Sequence, residues 1–197
     1  MEQRQYHYFI SGLPELRFDE TPLWTTPAKF VKKMRRELHP DGNRMADLIL
    51  LRYDNENMVR HLREQKLVNK GIAIFIEDDF YRQEEIFSAV VIEEDILPPY
   101  MSDVFSQYCR PGEAFDHIEC RRKLDDGYYR HVMQLGSRFV REYTRFEYDL
   151  SNMLTYLINR KSGPSQTSEG IAGNSPFTRH LHETAGKNLV KDPEFEY

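Results

Sequence analysis

Val132-Met-Gln-Leu135-Gly-Ser-Arg-Phe139-Val-Arg-Glu-Tyr143-Thr-Arg-Phe146-Glu-Tyr-Asp-Leu150-Ser-Asn-Met153-Leu-Thr-Tyr-Leu157 is the stretch that decides the fold class. Its apolar residues at 132, 135, 139, 143, 146, 150, 153 and 157 recur at gaps of three and four. That spacing returns side chains to one face of an α-helix. It predicts a single helix from about Tyr128 to Lys161. At the helical rise such a rod is about 50 Å long. A long isolated helix is marginal in water, so this one is expected to lie against another long helix. The expected class is all-α, with long packed helices in hairpin-like units.

Upstream, Pro27 stands where a first helix begins. Phe30, Val31, Met34 and Leu38 then form its apolar face and leave the basic residues outside. His39-Pro40-Asp41-Gly42 breaks the chain. A second helix is expected from about Asn43 to Leu67. The run Gly71–Ile76, with Ile72, Ile74 and Ile76, reads equally as one short strand or a buried turn. After Pro98-Pro99 a short helix is expected from Tyr100 to Tyr108, ended by Arg110-Pro111-Gly112. Residues 162–176 are small and polar and read as a flexible linker, and Phe177–Lys191 as a resumed helix. The chain stops at Phe195-Glu196-Tyr197 without an obvious cap, which reads as a truncated helical segment. The expected organisation is one helical domain over 1–161 with related units at about 6–67 and 114–161, a linker over 162–176, and the start of a further helical segment over 177–197.

Composition narrows the function classes. A chain of 197 residues is long enough for a sizeable core. No run of about 18 apolar residues occurs, so no membrane span is expected. The opening Met1–Tyr8 lacks the apolar core of a signal peptide. Cys109 and Cys120 form no Cys-x-x-Cys pair, which suits free thiols in a reducing compartment. A net charge of -5 argues against nucleic-acid binding. Charge is unevenly placed, however. Lys29–Arg44 holds six basic and two acidic residues, whereas Glu77–Asp95 holds eight acidic residues and one Arg. These runs read either as solvated faces or as docking surfaces of opposite sign. On the second reading Lys29, Lys32, Lys33, Arg35 and Arg36 are the candidate docking residues.

Two segments match at an offset of 95 residues: Tyr53–Lys66 and Tyr148–Lys161. Tyr, Asp, Asn, Met, Leu and Lys coincide at six of fourteen positions, where average residue usage gives about one. Asp54, Met58, Leu62 and Lys66 fall on one helical stripe, with Asn57 beside Asp54. An acid on an apolar stripe needs hydrogen-bond partners once buried. Tyr53, Asp54 and Asn57, with their counterparts Tyr148, Asp149 and Asn152, are therefore expected to form structural polar clamps. In these clamps Asn57 donates to Asp54, or both bond across to a facing helix. A catalytic carboxylate is the weaker alternative, since no His or second acid recurs beside it.

The Tyr-Asp-x-x-Asn-Met pattern resembles the Asp-x-x-Asn-hydrophobic helix motif repeated in the C-type stalk subunit of V-type ATPases, which eukaryotes call the d-type. The opening Tyr6-His-Tyr-Phe-Ile-Ser-Gly-Leu-Pro-Glu-Leu16 is similar to bacterial proteins that accompany V-type ATPase subunits. The resemblance covers about residues 6–67 and 114–161. It implies an all-helical funnel of three pseudo-repeats that joins the membrane rotor ring to the central stalk and has no active site. This chain has room for two repeats and part of a third.

Motifs that carry chemistry are missing. There is no phosphate-binding Gly-x-x-x-x-Gly-Lys-Ser/Thr and no Gly-x-Ser-x-Gly elbow. His180 and His182 alternate without a third ligand, and two ligands rarely hold a metal. His61 and His131 read as surface or core histidines. Asp78-Asp79 and Glu93-Glu94 read as solvated loop acids, with weak cation binding as the lesser alternative. The expectation is a non-enzymatic cytoplasmic protein without cofactor or metal, whose partners are the rotor ring and central stalk of a V-type ATPase. The alternative is a helical adaptor for some other protein.

Overall fold

A computed structural model describes residues 11–13, 25–88, 94–108, 115–162 and 176–185. Every described element of regular structure is an α-helix, so the all-α class holds. The chain divides into two compact units, Met1–Ile92 and Glu93–Tyr197.

The N-terminal unit holds α1 (Pro27–Glu37), α2 (Pro40–Leu62) and α3 (Glu77–Ser88). Helix α1 starts as its sequence dictates. Thr26 caps it by accepting the Lys29 N–H, and Pro27 takes a first-turn position where a missing N–H costs nothing. The turn into α2 is tied by Asn43, whose amide donates to the carbonyls of Arg35 and Leu38 at 3.1 Å each. Those are orphan carbonyls at the end of α1. Arg35 also pairs with Asp47 of α2 at 2.7 Å.

Periodicity places α2 over about Asn43 to Leu67, but the helix runs from Pro40 to Leu62. It begins early because Pro40 is suited to a first turn capped by His39. It ends early because Glu64 adopts a left-handed conformation, φ 54°, and the Gln65 N–H returns to the Arg60 carbonyl at 2.9 Å. Asn69 and Gly71 also have positive φ, so the chain turns repeatedly before α3. The strand reading of Gly71–Ile76 fails for this reason: these residues form turns, with the Ile72 and Ala73 N–H groups bonded to the Asn69 carbonyl, those of Ile74 and Phe75 to Asp54 of α2, and that of Ile76 to Asp79 of α3. Phe80 of α3 is fully buried, and the unit's core draws Leu48, Leu51, Met58, Val59 and Leu67 from α2 and the loop after it.

The C-terminal unit holds α4 (Pro99–Tyr108), α5 (His117–Leu135), α6 (Arg138–Ser162) and α7 (Pro176–Ala185), with α4 against α5, α5 against α6 and α6 against α7. Asp116 caps α5 by accepting the N–H groups of Ile118 and Glu119. Gly127 lets α4 approach closely. A Cβ there would sit 2.7 to 3.1 Å from Tyr100 side-chain atoms. Cys120 is fully buried, and desolvation pushes its thiol up to about 12. The linker expected over 162–176 has helical end residues, Ser162 of α6 and Pro176 of α7; its residues 163–175 lie outside the described residues, as do Cys109, the chain beyond 185 and the opening segment apart from 11–13.

The single rod expected from Tyr128 to Lys161 is two helices. The chain breaks at Gly136-Ser137, where the Gly136 N–H returns to the Val132 carbonyl and Ser137 accepts the Val140 N–H at 3.4 Å. The apolar spacing runs on through this joint, which hides it.

Candidate functional site

Three arrangements gather the residues that sequence reasoning singles out. The first lies on α2 of the N-terminal unit. Asp54 is fully buried, and one carboxylate oxygen accepts the backbone N–H groups of Ile74 at 3.0 Å and Phe75 at 2.9 Å. Asn57, one turn on, accepts the Val68 N–H at 3.0 Å. The expected Asn57–Asp54 bond and the bond across to a facing helix are both replaced by bonds to the loop backbone. A loop folded over a helix needs acceptors for its inward N–H groups, and these two side chains supply them. Burial drives the Asp54 carboxyl up to about 6 against the opposing pull of the Phe75 and Ile74 N–H groups. Tyr53 is half-buried, with the Arg52 guanidinium 6.0 Å from its ring centre.

Farther along α2, buried His61 meets Glu84 of α3 at 3.0 Å. It stacks on Phe80 and meets the Tyr81 ring edge-on. Asp54 thus ties the loop to α2, and His61 ties α2 to α3. A pocket of about 260 Å³ beside the loop is walled by residues that include Asn57, Leu67, Gly71, Phe75 and Ile76. Among the described residues no three His, Cys, Asp or Glu side chains converge to hold a metal ion.

The second arrangement is the other copy of the repeat, on α6. The phenol of Tyr148 donates to Asp126 of α5 at 2.6 Å and its ring stacks on Tyr129. Burial, with Asp126 alongside, pushes that phenol's pKa upward. Buried Asn152 donates to Thr178 of α7 at 3.2 Å. Asp149 is only half-buried. The two copies thus share a place on a helix but not a set of partners. In α2 the acid and the asparagine carry the clamp; in α6 the tyrosine and the asparagine make the bonds to α5 and α7.

The third arrangement is the apolar stripe of α6. The inward face of α6 is Val140, Thr144, Tyr148, Asn152 and Tyr156, spaced by four, with Tyr156 packed against Leu181 of α7. Of the stripe expected to be packed, Val132 is fully buried and Met153 packs against the Tyr156–Leu181 cluster, but the other members point outward. Phe139 is 72% exposed and Phe146 65%, and Leu150, Leu154 and Leu157 are exposed with them. Leu135 at the end of α5 is also exposed. The spacing identifies these residues as a packing surface, but it carries no sign of whether the partner is in the same chain.

The basic residues of α1 divide. Lys29, Lys32, Lys33 and Arg36 are exposed, whereas Arg35 is half-buried in its pair with Asp47. No described helix is long and apolar enough to cross a membrane.

Neither a curated protein nor a solved structure matches this chain. A family model described as "Protein of unknown function (DUF2764)" matches residues 3–195. That match spans nearly the whole chain, which therefore belongs to this family.

Proposed function

We propose that the chain is a non-catalytic structural subunit that joins parts of a larger assembly, and that the assembly is a V-type rotary ATPase. The observation that carries the structural reading is the exposed stripe of Phe139, Phe146, Leu150, Leu154 and Leu157 on α6. Contiguous exposed apolar surface on a folded protein marks an interaction site. The buried polar groups of the repeat, Asp54 and Asn152, are spent on fixing a loop and a helix. The identity of the assembly rests on the resemblance of the Tyr-Asp-x-x-Asn-Met segments to the C-type stalk component. On that reading the protein works on the cytoplasmic face, between rotor ring and central stalk, and packed helices transmit force where loops would yield.

A tagged full-length chain expressed in its own cells tests this. Recovery of rotary ATPase subunits from solubilised membranes is the expected result. Recovery of none, with the assembled enzyme shown to be present, removes the rotary reading and leaves a helical adaptor for another protein. The stripe favours that second reading equally when the resemblance is set aside.

A further inference from the structure

We propose that the pocket formed by α2, the loop after it and the start of α3 binds a free apolar α-amino acid, held by its side chain, its carboxylate and its ammonium group together. Such a ligand site goes beyond the assembly reading and does not depend on it.

The size and the walls limit the occupant first. The pocket holds about 260 Å³. Sites that take drug-sized ligands run from roughly 300 to 1,000 Å³. A molecule on the scale of one amino acid therefore suits it. Leu67, Ala73, Phe75 and Ile76 give it an apolar wall. Ile76 is 62% exposed, so part of that wall is open to a ligand from outside. Covering it supplies a non-directional share of the affinity.

The direction comes from Asn57, which lines the pocket and is only 2% exposed. Its Oδ1 accepts the Val68 N–H at 3.0 Å. That bond fixes the orientation of the amide and leaves Nδ2 as a donor. Nδ2 bonds to no described residue. A donor so placed calls for an acceptor, and the ligand must carry one.

Charge decides which acceptor-bearing molecule fits. Exposed Lys70 lines the pocket from the loop, and exposed Glu77 and Asp78 line it from the first turn of α3. None of the three forms an ion pair with a described residue. A simple carboxylic acid would answer Asn57 and Lys70 but meet two acids. A simple amine would answer the acids but offer Asn57 no acceptor. A zwitterion answers both: its carboxylate takes Asn57 and Lys70, and its ammonium takes Glu77 and Asp78. The peptide dipoles at the start of α3 amount to about half a positive charge, which two carboxylates outweigh.

Calorimetric titration of the full chain with leucine, isoleucine, methionine and phenylalanine tests this. At least one is expected to bind with a dissociation constant of about 1 mM or lower. The amine and the acid that correspond to it, each lacking one charged group, are expected to bind about tenfold more weakly or worse. Glycine, which lacks the side chain, should show no binding. Lys70→Met and the double variant E77Q/D78N should each weaken the best ligand by about tenfold. These side chains are exposed, so both variants should keep the melting point of the unliganded protein. Asn57→Asp keeps an oxygen for Val68 but replaces the donor with a negative charge, and should abolish binding. If that variant does not fold, the two surface variants decide alone. Binding of none of the four amino acids overturns the proposal, as does binding that neither surface variant weakens. Equal binding of the amino-acid amide also overturns it, and would make the N-terminal residue of a peptide the occupant.

Discussion

The Asp54 carboxylate accepts the backbone N–H of Phe75 at 2.9 Å, joining the middle of α2 to a residue 21 positions later. The Ile74 N–H meets the same oxygen. The loop between α2 and α3 has no sheet or helix of its own to absorb these donors. Between Ile74 and Phe75 its conformation therefore depends on one side chain. Asp54→Ala and Asp54→Asn remove the same charge, but Asn retains an oxygen at that place. The Ala variant is expected to be less stable than the Asn variant by about 1–3 kcal/mol, the cost of leaving buried donors unmet. Urea denaturation of the two variants measures this directly. Equal stabilities would mean that water replaces the carboxylate freely.

The charge itself gives a second expectation. Burial is the main cause that raises the Asp54 carboxyl from 3.8 to about 6; Asp47 adds to it, while the Phe75 and Ile74 N–H groups and Arg35 oppose it. The folded state therefore binds the proton more tightly than the unfolded chain. Stability from this group is fully present below about pH 4 and is lost as pH rises through 6. Asp54→Asn cannot titrate, so its stability relative to the native protein should rise between pH 4 and 6.5. The rise over that window should total about 2 kcal/mol, since a carboxyl raised this far loses up to about 1.4 kcal/mol per pH step of one. Denaturation midpoints across that range decide it. A difference that runs the other way would show the two N–H bonds outweighing burial.

In the C-terminal unit the corresponding test concerns Asn152 and Thr178, buried side chains that join α6 to α7. Asn152→Ala leaves the threonine hydroxyl without this partner, and Thr178→Val does the same to the amide. Each single change should cost about 1–3 kcal/mol. The double variant should cost less than the sum by about 1 kcal/mol, because the two losses share one bond. Additive losses in chemical denaturation would show that the pair does not couple the helices. Asp149→Ala, by contrast, removes a half-buried residue that does not make this bond, and should cost less than Asn152→Ala.

Much of this architecture is legible in the sequence where local physics decides. Pro27, Pro40 and Pro176 each stand in a helix's first turn, and the 3.6-residue period marks the helices between. The joint at Gly136-Ser137 is harder to see because Leu135 and Phe139 keep helical spacing across it. A glycine followed by a capping serine is the signal that marks it. The clamps are half legible. That Asp54 and Asn57 need partners follows from their place on an apolar stripe, but backbone amides of a loop have no sequence signature. The match between Tyr53–Lys66 and Tyr148–Lys161 carries no information about what each copy touches. The outward turn of the α6 stripe is the least legible feature. A heptad seam looks the same whether its partner lies within the chain or outside it.

Gly127 offers the last expectation, in which two effects oppose each other. It lies inside α5, where replacing glycine by alanine ordinarily stabilises a helix by about 1 kcal/mol. Here a Cβ would stand 2.7 Å from Cδ2, 3.0 Å from Cβ and 3.1 Å from Cγ of Tyr100 on α4. These are atoms at the root of the side chain as well as on its ring, so a rotation of the ring end alone does not clear them. The ring is also held near His131, at 5.3 Å between centroids. The two helices must separate or the tyrosine must leave its place, and overpacking of this kind costs about 1–3 kcal/mol. The steric cost should win, so Gly127→Ala should lower the melting point despite its better helix propensity. Gly127→Ala in a Tyr100→Gly background removes all three of these atoms and should recover the propensity gain. A melting point raised by Gly127→Ala alone would show that α4 and α5 have room to part.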